Sequence, residues 1–388
     1  MKNNADALIF HTALCDACEM RIIMGKYHFI IIGAGWRALY YVRIAKAMPD
    51  IFCLDAVYCR TQEKADKIAR EYQIHTTTSK EECAAYKPDF AVIAVNKAEI
   101  CNVAVEWMDR GITVLSETPA ALDIEALKKL YGYYKAGKKQ VVAEQYREYP
   151  SNKAALRLIG SGIIGDVNCM NISLAHEYHG VSLMRAYLGI RPDENFKVSG
   201  KMYEFPTTET LTRYEQFTDG RIANKKRCVA AFEYDCGKTA WYDFDSEQYR
   251  SPIRKNTVKV QGVRGEMIDD RIYYLDKNNK GQADQIITDF HITRADNPNP
   301  NLSEIYEVEK ISCAGKVLYE PHWGLRGLSE DETAVATLMV KTALYNRDEA
   351  PAPYSAEDAI TDAYAAILLK EAVQTGKCIR SDIKRIKE

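Results

Sequence analysis

Three small residues at fixed spacing carry the clearest chemistry in this chain: Gly33-Ala34-Gly35 is followed by Ala38, a G-x-G-x-x-A arrangement. Such a run suits a dinucleotide pyrophosphate. The first glycine permits the tight turn, the second lets the backbone approach the phosphates, and the third small residue lets helix and strand pack closely. The expected ligand is NAD or NADP, with Gly33, Gly35, Trp36, Arg37 and Ala38 around the pyrophosphate. A competing chemistry is metal binding at Cys15-Asp-Ala-Cys18, with His11 nearby. No second Cys/His pair at a suitable spacing completes four ligands, so no metal is expected.

The flanking elements must position those glycines. Phe29–Ile32 is a short apolar run rich in β-branched residues and reads as a buried strand. From Trp36 to Met48 the period becomes helical, with Leu39, Val42, Ile44, Ala45 and Met48 on one side. Further strands at 52–59, 89–95, 111–115 and 140–143 alternate with helices at 63–72, 98–110 and 123–135. This alternation predicts a doubly wound parallel sheet with ligands at the carboxyl ends of its strands. Those ends are Gly33, Cys59, Val95-Asn96, Ser116-Glu117 and Glu144-Gln145, and they bring Arg60 and Thr61, Val95 and Asn96, Glu117 and Thr118, and Gln145 to the cofactor. An acid at the end of the second strand would bind the ribose and select NAD. Asp55 sits too early in that strand, so either Arg60 and Thr61 accept a 2′-phosphate or Arg60 is simply solvated. NAD and NADP both stay open.

Beyond Tyr146 the pattern changes. A helix at 152–159 leads through a glycine-rich turn to a strand at 167–173, then a helix at 181–188 ended by Gly189. Residues 197–274 alternate like a half-exposed antiparallel sheet. Lys277–Leu302 reads as loop from its Asn-Asn and Asn-Pro signals. Two amphipathic helices, Asp331–Tyr345 and Ala356–Thr375, close the chain.

At 388 residues, two domains are expected. A net charge of −2 with interspersed signs argues against a nucleic-acid surface or a polybasic membrane patch. There is no apolar run of about 18 residues that would predict a membrane span. The 11 cysteines, irregularly spaced, fit reduced thiols in a cytoplasmic protein better than a disulfide framework. Residues 1–23 are expected to be a poorly ordered extension, with Met24 as an alternative start. They do not read as a secretory signal, because Asp6, Asp16 and Glu19 break their apolar stretches.

With these pieces in place the chain resembles the Gfo/Idh/MocA family of oxidoreductases, from about Gly25 to Gly376. The anchors are Gly33-Ala-Gly35, Ser116-Glu-Thr-Pro119, Gln145-Tyr-Arg147, Gly162-Ile-Ile-Gly165-Asp-Val, His179 with Arg185 and Gly189, and the closing Ala356 helix. The resemblance implies an α/β fold: a Rossmann domain (24–146), then an α/β domain with a large, mostly antiparallel sheet (147–388). One face of that sheet would lie near the cofactor and the other would form subunit contacts, making a homo-oligomer. The implied substrate is a carbohydrate-like small molecule.

Two departures stand out. The family's Glu-Lys-Pro is Glu117-Thr118-Pro119 here, and its aspartate four residues before the histidine falls at Ala175. Of the Lys–Asp–His set that the family's polyol dehydrogenases use, only His179 remains. A nicotinamide dehydrogenase needs a group to take the hydroxyl proton and a donor to steady the developing oxyanion. His179 is expected to be the acceptor, and His176 and Arg147 are candidate donors. Tyr146, His322, Trp323 and Arg326 are candidate substrate neighbours, with core packing the alternative for Trp323. Three functions compete: a sugar, glycoside or polyol dehydrogenase, a glycoside-cleaving enzyme using transient C3 oxidation, and a non-catalytic nucleotide-binding sensor.

Overall fold

Strand β1 (Tyr27–Ile32) is buried at five of its six positions, His28 being the exception. Phe29 and Ile31 pack into one core cluster, and Ile30 and Ile32 into another. Both faces of this sheet are therefore covered, which is why the strand reads as an unbroken apolar run. The structure, a computed structural model, describes residues 26–212, 215–294 and 304–387. The piece 1–23, with His11, Cys15 and Cys18, lies outside the described residues, as does Met24.

After β1 come α1 (Trp36–Ala47), β2 (Phe52–Tyr58), α2 (Gln62–Tyr72), β3 (Thr76–Thr77) and α3 (Lys80–Ala85). β4 (Phe90–Ile93), α4 (Ile100–Asp109), β5 (Val114–Ser116), α5 (Ile124–Lys135) and β6 (Gln140–Val142) complete the unit. The strands pair in parallel in the order β3-β2-β1-β4-β5-β6. The order reverses between β1 and β4, and the crevice at such a switch point is where doubly wound sheets bind ligands.

A 3-10 turn (Gln145–Glu148) leads into the second domain through α6 (Pro150–Gly160), β7 (Val167–Ser173) and α7 (Glu177–Leu188). Then come β8 (Phe196–Thr208), β9 (Ile222–Tyr234), β10 (Thr239–Asp245), β11 (Thr257–Gly262), β12 (Gly265–Ile268) and β13 (Arg271–Leu275). They are followed by β14 (Gly281–Arg294), β15 (Glu304–Cys313), β16 (Lys316–Tyr319), α8 (Glu330–Asn346), α9 (Ala356–Thr375), β17 (Ile379–Arg380) and α10 (Lys384–Lys387). Among the described residues this domain has one 11-stranded sheet, antiparallel except where β7 meets β10.

Two features depart from the sequence pattern. The stretch expected to be loop from Lys277 contains β14, paired with β13 and over nine residues with β15. Its strand character comes from non-local pairing, which the loop signals on either side concealed. The second feature is α8, buried along most of its length. Val335, Met339 and Ala343 pack with Phe29, Ile31 and Leu115 of the nucleotide sheet. A helix roughly 300 residues from β1 thus covers one face of that sheet, and its first turn reaches the cleft.

Candidate active site

Gly33 adopts φ +118°, and a Cβ there would lie 2.2 Å from the Ala94 carbonyl oxygen. Only glycine fits where β1 and β4 diverge. Gly35 is the N-cap of α1, with no side-chain capping bond, and a Cβ there would meet nothing within 4 Å. The first N–H groups of α1 thus face open space, which is the setting a pyrophosphate needs. Both glycines, Trp36 and Arg37 line a cleft of about 2230 Å³. Ala38 lies beneath it, 1% exposed, where its small side chain belongs to the helix–strand packing.

The other strand ends converge as expected: Arg60, Thr61, Val95, Asn96, Glu117, Thr118 and Gln145 all line the same cleft. Arg37 is fixed by Glu117 (Nε–Oε1 2.8 Å) and by Asp331 of α8 (Nη1–Oδ2 3.0 Å). The Tyr41 hydroxyl also donates to Glu117, at 2.6 Å. Arg37 Nη2 and Gln145 Oε1 are buried with no hydrogen-bond partner among the described residues. Buried polar atoms are normally satisfied, so these two fit a cleft that awaits a polar ligand. The cradle, the uncapped helix and the orphaned polar atoms all fit a dinucleotide. Asp55 takes no part: its carboxylate is 2.9 Å from His28 Nδ1, in a surface group with Cys53 away from the cleft.

At the other end of the cleft, α7 starts in a strained turn. His176 is its N-cap and Glu177 has φ +28°, unusual for a residue with a side chain. Tyr242 holds the turn. Its hydroxyl accepts from the Glu177 N–H at 2.8 Å and donates to the Ala175 carbonyl at 3.1 Å. A Cβ at Gly180 would lie 2.5 Å from the Tyr242 ring, so this position too requires glycine. The turn brings both imidazoles to the cleft, their ring centroids 4.9 Å apart.

His179 is 5% exposed. Its Nδ1 lies 2.5 Å from Glu144 Oε2, its Nε2 lies 3.4 Å from Thr118 Oγ1, and its ring packs on Tyr146 at 4.6 Å. Glu144 follows β6 and is 1% exposed. A buried carboxylate beside Nδ1 takes that nitrogen's N–H, leaving the Nε2 lone pair towards the cleft. Ala175 supplies no carboxylate, and Glu144 supplies one from the nucleotide domain instead. Sequence reasoning noted Glu144 only as a strand end. Its signal was an acid at the carboxyl end of a parallel strand beside a cleft residue.

His176 belongs to a second chain of groups. Its Nδ1 is 2.5 Å from the Tyr249 hydroxyl, which also receives its backbone N–H and a hydrogen bond from Tyr146. With Nδ1 as acceptor, the neutral ring carries its proton on Nε2. Burial first, then His179 and Lys97, push the His176 pKa down to about 3. The ring is thus a neutral donor at neutral pH. Tyr249, which lines the cleft, had no sequence signal.

Four sequence candidates lie elsewhere. Arg147 turns away from the cleft: it donates to Ser182 Oγ (2.8 Å), to the Ser182 carbonyl (3.2 Å) and to Asp362 (3.3 Å). Arg185 binds the same Asp362 carboxylate at 2.5 Å. Arg147 is thus a tie inside the second domain, and it cannot reach the cofactor or an oxyanion. Arg326 pairs with Asp50 at 2.8 and 2.9 Å, and Trp323 packs against the nucleotide-domain core. His322 sits beside Trp323, their rings 6.4 Å apart. Asp50 precedes β2, so this group lies at the amino ends of the parallel strands, opposite the cleft. His322, Trp323 and Arg326 are therefore not substrate neighbours.

Fold and site define a two-domain dinucleotide-binding protein with a histidine–carboxylate pair at the inner end of its cleft. Residues 27–145, the N-terminal domain, match the Gfo/Idh/MocA family model, described as "Oxidoreductase family, NAD-binding Rossmann fold". Among solved structures, the chain is similar to scyllo-inositol dehydrogenase from Lactobacillus casei, at 15% identity and a TM-score of 0.61, covering 92% of this chain and 99% of that one. It is also similar to an oxidoreductase from Agrobacterium radiobacter in complex with NAD+, L-tartaric acid and magnesium (13%, TM-score 0.62, 93% and 99% covered). A third is GenD2 from gentamicin A biosynthesis in complex with NAD (15%, TM-score 0.62, 93% and 98% covered). At such identities the likeness establishes a shared two-domain fold. No curated protein matches the sequence. Among the described residues no helix is long and apolar enough to cross a membrane.

Proposed function

We propose that this protein is an NAD(P)-dependent dehydrogenase acting on a hydroxyl of a sugar, glycoside or polyol. The observation that carries the reading is His179 in the cleft, backed on Nδ1 by buried Glu144. Burying a carboxylate is costly, and a nucleotide sensor has no use for one aimed at an imidazole. The bound nicotinamide supplies the hydride acceptor. His179 Nε2 takes the hydroxyl proton, and Glu144 holds the ring in the right tautomer and steadies the imidazolium that forms. The Nε2–H of His176, fixed by Tyr249, donates to the same oxygen in place of the family's lysine. Thr118 leaves room beside His179 where that lysine would stand. The inositol dehydrogenase and the gentamicin A biosynthesis protein among the structural neighbours support a polyhydroxylated substrate.

The test is a panel of inositols, sugars and glycosides with NAD+ or NADP+, followed by the absorbance of reduced nicotinamide. His179→Ala should nearly eliminate turnover at unchanged nucleotide affinity. His176→Ala should lose roughly 10²–10³ in rate, the effect of removing one oxyanion donor. Wild-type turnover in His179→Ala would refute the mechanism. Glycoside cleavage without accumulating reduced cofactor would move the net reaction to redox-assisted elimination at the same site. The homo-oligomer implied by the resemblance fits the exposed Tyr203, Val229 and Trp241 on β8–β10, and light scattering tests it.

A further inference from the structure

We propose that the cleft is built for NADP rather than NAD, with Arg60 and Lys64 holding the phosphate on the adenosine 2′-oxygen. This rests on the dinucleotide reading above and asks which dinucleotide binds. In a doubly wound sheet the group just after the second strand meets that ribose. Here β2 ends at Tyr58 and runs on as Cys59-Arg60-Thr61, with no carboxylate to accept a 2′-hydroxyl. Asp55 is committed to His28 away from the cleft, and Glu63 does not line it.

The cations of the cleft divide into engaged and free. Arg37 is held by Glu117 and Asp331, and Arg43 pairs with Glu332. Lys46 donates to the Tyr72 carbonyl at 2.6 Å, and Lys80 to Glu106 at 2.8 Å. Lys97 after β4 and Arg250 after β10 line the cleft and meet no acid among the described residues, and neither follows the second strand. The same freedom holds for Arg60 and Lys64, which are exposed and line the cleft at the end of β2, where the adenosine ribose is expected. Thr61 between them accepts the Lys64 N–H at 3.3 Å, which fixes the start of α2 and keeps the two side chains on one rim. A neutral 2′-hydroxyl would leave both cations without a counter-charge. A 2′-phosphate, with close to two negative charges, matches them, and the arginine fork suits its oxygens.

Calorimetric titration of the purified full chain with NADP+, NAD+, 2′,5′-ADP and 5′-AMP tests this without turnover. NADP+ should bind at least about tenfold tighter than NAD+, and 2′,5′-ADP tighter than 5′-AMP, with a preference that shrinks as salt rises. Arg60→Ala with Lys64→Ala should weaken NADP+ roughly 100-fold and leave NAD+ within about twofold, at an unchanged melting temperature, since neither side chain has an acid partner among the described residues. Arg60→Asp should reverse the preference. NAD+ binding as tightly as NADP+ in the wild type would overturn the proposal and leave the dinucleotide reading intact. Binding of neither would overturn both.

Discussion

Glu144→Gln separates the proposed role of this residue from a merely structural one. The change keeps shape and volume while removing a charge from a position that is 1% exposed. Two consequences follow, with opposite signs. In catalysis, His179 must become an imidazolium, and the carboxylate 2.5 Å from its Nδ1 faces that charge directly. Two unit charges about 4 Å apart at an effective dielectric of about 20 interact by about 4 kcal/mol. At about 1.4 kcal/mol per decade, that predicts a loss of roughly 10³ in kcat. The loss deepens if the amide donates to Nδ1 and forces the ring's proton onto Nε2. In stability the expected sign is reversed. Glu144 Oε1 is buried with no hydrogen-bond partner among the described residues, so neutralising the group relieves a desolvation cost. The melting temperature should hold or rise while kcat collapses, and nucleotide affinity should not move. The assay is kcat on the best substrate of the panel, with melting curves and nucleotide titration on the same preparation. A variant with near-wild-type kcat would refute the argument. So would a fall in melting temperature that accounts for the lost activity.

The two glycines should fail differently. Gly33→Ala places a Cβ on the Ala94 carbonyl at positive φ and should lower the melting temperature, whereas Gly35→Val should fold normally and lose nucleotide binding in titration. Arg147→Met should cost stability, at most the ~3–5 kcal/mol of a broken buried pair because Asp362 keeps Arg185, and denaturant melts with nucleotide titration should show reduced stability at unchanged affinity. His176 makes stability depend on acid. Its folded pKa is pushed down to about 3, below the unfolded value near 6.5, so only the unfolded chain gains its proton between them. Its contribution is full above pH ~6.5 and is lost as pH falls towards 3. Melting curves of His176→Gln should show a shallower acid decline than those of the wild type.

The nucleotide half was legible from local pattern alone. A buried parallel strand, a turn that admits only glycine and a helix that needs a small residue leave residue-level marks, and the ends of successive strands must share one edge of the sheet. Arg60, Asn96, Thr118 and Gln145 could therefore be placed in one cleft before any packing was known. His179 was visible for a different reason, since the resemblance fixed its position in the chain. What sequence could not determine was where side chains point at element ends. Arg147 and Gln145 lie two residues apart on one 3-10 turn, yet one enters the cleft and the other turns into the second domain. The same holds for β14, whose strand character exists only through partners on β13 and β15.

Glu144 and His179 show the division most clearly. The sequence determined that an acid follows β6 and that a histidine stands near the start of α7. It also showed that the family's usual aspartate is missing at Ala175. Only the tertiary structure joined the two residues, because their contact requires the last strand of one domain to abut the first turn of a helix in the other. That approach depends on a turn at Glu177 held by Tyr242 from a strand some 65 residues away, and on α8 tying the cleft wall together through Asp331. Local propensity sees none of these constraints, since each is a contact whose free energy exists only after the chain has closed a long loop.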